Sequence, residues 1–162
     1  MKATMKMKAN IGIKESQLKS VSQELNKILA DESILYLKTR NYHWNVEGDN
    51  FKGMHEFFES QYQQLELIID EVAERIRKLG HYAEARMKDY LQLTRLDEGE
   101  YTNKQKLQLQ NLLADHESLI ENLRKFIVET LEENNDFGTN DFITGLIEKH
   151  EKMAWFIRSY LN

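Results

Sequence analysis

Between Glu15 and Asn45 the apolar residues Leu18, Val21, Leu25, Ile28 and Leu35 recur three or four positions apart, or at a multiple of that interval. This spacing lays one stripe along a helix. Glu47, Gly48, Asp49 and Asn50 interrupt it. Asn50 is suited to cap a second helix, whose stripe runs through Met54, Phe58, Leu65, Ile69, Val72, Ile76 and Leu79 to a stop at Gly80. Residues 80–101 form a long connection in which 83–93 have the pattern of a short crossing helix. Thr102 and Gln105 stand at capping-box spacing before a third stripe of Leu109, Leu112, His116, Leu119, Leu123, Phe126 and Ile127, ending near Asn134. After 135–140, which contain Gly138, Asp141 opens a fourth helix striped by Phe142, Leu146, Ile147, Met153, Phe156, Ile157 and Tyr160.

The connections are unequal. Helices one and two, and three and four, are joined by short turns, whereas the two–three connection is long and carries its own helical pattern. Four helices with one long crossover make an all-α, ferritin-like four-helix bundle with a short helix in the crossover. Composition agrees, because the 162 residues include no proline and only seven glycines. The absence of cysteine excludes disulfides, thiolate metal sites and cysteine nucleophiles, so a bound metal must use nitrogen and oxygen ligands, which suit iron, manganese or zinc. The longest apolar run, Met153 to Ile157, is far below the roughly 18 residues that span a bilayer. A cytoplasmic, unprocessed protein with no membrane partner is expected. The net charge is −5, yet Lys2, Lys6, Lys8 and Lys14 precede the first acidic residue, Glu15. Residues 1–13 therefore read as a basic tail and 14–162 as the bundle domain. An acidic body attracts cations, and any contact with a polyanion such as DNA falls to the tail.

Di-iron bundles of this architecture commonly carry Glu-x-x-His on facing helices. The residues three before the five histidines are Arg40, Lys52, Lys78, Leu113 and Ile147, so an ordinary site inside one bundle is disfavoured. His81, His116 and His150 lack carboxylates at useful helical spacing and read as packing residues. The second helix offers another pattern. His55 and Glu59 are four apart, as are Asp70 and Glu74, with Glu66 between them on a similar bearing. Glu59 and Asp70 share a face but are separated by about 16 Å of helix, too far for one metal. Two copies packed antiparallel about a two-fold axis near Gln64 and Leu65 would bring Glu59 of one against Asp70 of the other. His43, twelve residues before His55 across a tight turn, falls near the His55 and Glu59 side. Imidazoles with carboxylates suit Fe(II). The plain alternatives are a solvated helix face for His55 and Glu59, and packing at a helix end for His43 and Trp44.

The stretch NYHWNVEGDNFKGMHEFFESQYQQLELIIDEVAERIRKLG, from Asn41 to Gly80, resembles the signature of the Dps family, the mini-ferritins of DNA protection during starvation. The resemblance continues through YAEARMKDYLQL in the crossover and GTNDFITGLIEKHEKMAWFIRSYL at the end. It implies a dodecameric shell that oxidises Fe(II), preferentially with hydrogen peroxide, at centres between subunits and stores the non-haem iron as a ferric mineral. It makes His43 and His55 imidazole ligands, Glu59 the acidic residue on their side, and Asp70 and Glu74 carboxylate ligands from a partner chain. Position 59 is commonly Asp in that family, so the longer Glu bears on the second, weaker iron position. The resemblance also places Trp44 beside the centre in electron transfer, Asp141 at an iron-entry pore and, more weakly, Glu56 at mineral nucleation. The competing reading is a nucleoid-condensing protein that binds DNA through Lys2, Lys6 and Lys8.

Overall fold

The computed structural model describes residues 9–162. The expected DNA-contacting residues Lys2, Lys6 and Lys8 lie outside them. Helix α1 (Glu15–Asn45) is followed by α2 (Phe51–Lys78), the short α3 (Met87–Leu93), α4 (Gln105–Phe126) and α5 (Phe137–Leu161). The described residues contain no strand, only an isolated bridge between Glu47 and Lys104. Helix α1 packs on α2, and α4 on α5, and the two pairs close on each other into a four-helix bundle crossed by α3.

The predicted stripes form the core. Leu18, Val21, Leu25, Ile28 and Leu35 of α1 are all shielded from solvent, as are Met54, Phe58, Leu65, Val72 and Ile76 of α2. Removing such surface from water is the main force holding the helices together. On α2, Ile68 takes the fully buried place expected of Ile69, which is half-buried. Phe156 and Tyr160 fall off the core stripe altogether and are exposed on the flank of α5.

Polar contacts set the register. Lys38 Nζ donates to Asp115 Oδ2 at 2.7 Å, and Asn111 Nδ2 donates to the Tyr42 hydroxyl at 2.9 Å, so α1 and α4 run antiparallel. The crossover is tied to α1 at two points. Near its start, Asn26 donates to the Tyr82 carbonyl and accepts from the Glu84 amide, at 3.2 and 2.8 Å. Beyond α3, the fully buried Asp31 carboxylate accepts from the Arg95 guanidinium at 2.6 and 2.8 Å, from the Arg95 amide at 2.6 Å and from the Thr94 hydroxyl at 3.0 Å.

The helix ends depart from expectation at four places. Asn50 and Thr102 make no side-chain cap: α2 begins after Asn50 without one, and α4 has Lys104 at its N-cap. The last helix starts at Phe137, four residues before Asp141, because the buried Asp136 carboxylate accepts from the Thr139 amide at 2.9 Å and from Arg75 at 3.3 Å. Asp141 is therefore not the residue that opens this helix, although it remains exposed in its second turn. The third helix does not run unbroken to Asn134. It widens into a π turn over Ile127–Leu131 and ends with one short turn and Asn135 in the left-handed conformation, φ 54°.

His116 and His150 do more than pack. They are fully buried and hydrogen-bonded to each other, and His150 binds Glu32. The carboxylate absent from their own helices comes from α1, a partner that helical spacing alone does not reveal.

Candidate metal centre

His43 lies in the last turn of α1 and His55 in the second turn of α2, so the tight turn between the helices folds one imidazole onto the other. The rings stack with centroids 3.7 Å apart and planes 22° apart. Their backbone contacts are reciprocal. His43 Nδ1 donates to the His55 carbonyl and His55 Nδ1 donates to the His43 carbonyl, both at 2.8 Å. A carbonyl only accepts, so each ring carries its hydrogen on Nδ1 and keeps the Nε2 lone pair for a ligand. Orientation of a metal-binding imidazole by a carbonyl on its other nitrogen is the usual arrangement of such sites.

Glu59 stands one turn beyond His55 and is half-buried. The Tyr62 hydroxyl lies 3.3 Å from Glu59 Oε1, and Gln63 Nε2 3.4 Å from the same atom. The Tyr62 ring meets His43 edge-on at 5.2 Å. Burial, reinforced by the Glu59 carboxylate, raises the Tyr62 phenol above its ordinary pKa. Two imidazole nitrogens and a carboxylate fit Fe(II), Zn(II) or Mn(II) chemically. Among the described residues, however, no three His, Asp or Glu side chains of one chain converge closely enough to hold a metal ion.

Asp70 and Glu74 lie exposed toward the far end of α2, where Lys78 approaches Glu74 at 3.5 Å. Glu74 lines a cavity of about 420 Å³ together with Asp141, Glu71, Arg75, Lys78 and Lys149. The structure thus joins His43, His55 and Glu59 at one end of α2, and brings Glu74 and Asp141 together at the other. Trp44, next to His43, is exposed and lies under the Arg40 guanidinium, 5.0 Å from its ring centroid. Glu56 is exposed, with Lys52 at 3.7 Å. The sequence pattern missed Tyr62, which touches both Glu59 and His43, and Arg40, whose guanidinium lies 4.8 Å over the Tyr62 ring. The i, i+3 spacing of Glu59 and Tyr62 was the available signal.

Residues 22–162 match the model of the ferritin-like domain. The chain is 42% identical over 155 residues to an uncharacterized low temperature-induced protein of Nostoc sp., covering 94% of this chain and 86% of that one. It is 36% identical over 144 residues to DNA protection during starvation protein 2 of Bacillus anthracis, covering 89% of this chain and 98% of that one. Among solved structures it superposes on the Dps protein of Vibrio cholerae O1, described as one of the ferritin-like diiron-carboxylate proteins. There the TM-score is 0.90 at 31% identity, over 96% of this chain and 97% of the other. With this fold, this domain match and these relatives, the chain belongs to the Dps family of ferritin-like proteins.

Proposed function

We propose that this protein is a ferroxidase and iron store, taking Fe(II) as substrate at centres shared between two copies and oxidising it preferentially with hydrogen peroxide. The observation that carries this reading is the reciprocal pair of Nδ1–carbonyl hydrogen bonds, which leaves both Nε2 lone pairs of His43 and His55 available. A second copy, packed antiparallel along α2, supplies Asp70 and Glu74 to complete each half-site, in a shell that is a dodecamer in this reading. His43, His55 and Glu59 hold Fe(II) from one side and the two carboxylates from the other. Negative ligands favour the ferric product, so the same groups that bind the substrate assist its oxidation.

One peroxide accepts two electrons, one from each of two Fe(II), and with two protons gives two waters. No hydroxyl radical is released, and DNA is protected by removing both reagents of radical formation. Trp44 beside the centre serves electron transfer, Asp141 lines the route by which Fe(II) enters, and exposed carboxylates such as Glu56 seed the ferric mineral. Action in the cytoplasm follows, next to the nucleoid where Lys2, Lys6 and Lys8 contact DNA.

The test is anaerobic stopped-flow oxidation of Fe(II) by added hydrogen peroxide, comparing the native chain with an assembled Asp70→Ala, Glu74→Ala double variant. Rapid oxidation at about two Fe(II) per peroxide, lost in the variant, is expected. Equal rates in both proteins would refute the ligand assignment.

A further inference from the structure

Three side chains at the centre of the bundle take no part in the iron chemistry. Glu32 of α1, His150 of α5 and His116 of α4 are each fully sealed from solvent. His150 Nε2 donates to Glu32 Oε1 at 2.8 Å, and the two imidazoles meet Nδ1 to Nδ1 at 2.9 Å. Two ring nitrogens at that separation share one hydrogen, because one must donate and the other accept. The chain ends at Glu32 Oε2 and His116 Nε2, and neither atom has a hydrogen-bond partner. A buried polar chain with no slack at either end is sensitive to any added charge.

Beyond Glu32, which His150 already engages, the surrounding elements offer no free counter-charge. On α1, Asp31 is bound to Arg95, and Lys38 is paired with Asp115 of α4. On α3, Asp89 is held by Arg86. The buried residues of α2 are Met54, Phe57, Phe58, Gln61, Tyr62, Leu65, Ile68, Val72 and Ile76, none of them charged, and Tyr62 is engaged at Glu59. The only buried ionisable group of α5 is His150 itself.

We propose that the Glu32–His150–His116 chain is an acid latch on the bundle: a proton added to His116 lands on Nε2, where no acceptor meets it inside the sealed core, and the subunit opens on acidification. In the neutral arrangement one hydrogen lies between the two Nδ1 atoms and both helices are joined. Because His150 donates from Nε2 to Glu32, its Nδ1 accepts that hydrogen from His116, so a further proton on His116 goes to Nε2, which has no acceptor in a site that water does not reach. Burial, and then the neighbouring His150, hold His116 well below its ordinary pKa in the folded protein. The unfolded chain takes the same proton near about pH 6.5. The stabilisation due to neutral His116 is therefore complete above that pH. Below it, each pH unit costs about tenfold in the folding equilibrium, down to the depressed pKa of the folded state.

The experiment is an acid titration from about pH 8 to pH 3.5, following helix content by circular dichroism and assembly by size exclusion with light scattering. It compares the native chain with His116→Gln and His116→Asn, whose amides can donate toward His150 but do not titrate, and with His81→Gln as a control outside the core. The native chain is expected to lose helix and assembly together. Either amide variant should move that transition down by about one pH unit, while His81→Gln leaves it in place. An unmoved transition in a folded amide variant, or an equal shift in His81→Gln, would overturn the latch. Should neither amide variant fold, urea unfolding of the native chain decides. Its folding constant should fall about tenfold per unit between about pH 6 and pH 5, and a constant that is flat over this window overturns the proposal.

Discussion

Two pairs of histidines meet in this chain, and their surroundings give them opposite roles. His43 and His55 direct Nδ1 at backbone carbonyls and keep Nε2 for a ligand. His116 and His150 direct Nδ1 at each other in a core sealed from any ligand outside. Glu59 shows how one methylene matters at the same scale. Its longer side chain reaches the Tyr62 hydroxyl at 3.3 Å. Shortening it in Glu59→Asp should release that contact and, if the proposed centre holds, raise occupancy of its second, weaker iron position. Anaerobic titration with Fe(II) would show a larger stoichiometry per chain, and an unchanged one would count against the idea. Asp31 is a different case, a buried carboxylate with every contact on the crossover. Asp31→Ala leaves Arg95 without its partner. Because Arg95 is partly exposed, the expected loss is about 2–4 kcal/mol, at or below the usual range for a broken buried pair, measurable by urea unfolding.

At the scale of elements, the sequence pattern located helices well and their ends less well. The bounds of α1 agree with the apolar stripe, and Gly80 does terminate α2. It has φ 85°, and the His81 amide reaches back to the Ile76 carbonyl at 3.2 Å. Gly80→Ala should cost about 1 kcal/mol, since a Cβ is strained in that conformation, and thermal unfolding would register the change. The start of α5 was misplaced because Asp141 looked like an opening carboxylate, whereas Asp136 is the residue that caps. Its competing advantage is tertiary: Arg75 of α2 bonds both Asp136 and Thr139, and Gly138 leaves room for the guanidinium, which lies 2.9 Å from where a Cβ would stand. Asp136→Ala removes the cap and one Arg75 contact together, with an expected loss of about 2 kcal/mol in urea unfolding. Asp141→Ala should leave stability nearly unchanged, because its side chain is exposed in the second turn. Equal losses in the two variants would contradict this division of roles.

At the scale of the whole molecule, one subunit leaves features that a single chain does not complete. Trp155, Phe156 and Tyr160 form an exposed aromatic flank on α5, where the apolar stripe had placed the last two in the core. Exposed aromatic surface of this kind is typical of protein–protein contacts, and in the proposed assembly it is expected to face a second copy of the chain. Trp155→Glu should yield a smaller assembly by light scattering with helix content intact, and an unchanged assembly would exclude that flank from the contact. By itself, the sequence determined the helix count, the long crossover, the buried stripes and the spacing of His43, His55, Glu59, Asp70 and Glu74. These are periodic or local properties, fixed by 3.6 residues per turn and by the short turn between α1 and α2. Only the tertiary structure decided what crosses between helices. The Asp31 anchor, the Arg75–Asp136 cap and the Glu32–His150–His116 chain each join residues more than sixty positions apart in sequence on one side of the contact. Such pairs carry no periodic signal, because their distance in the chain is set by loop lengths and packing register rather than by the geometry of any one helix.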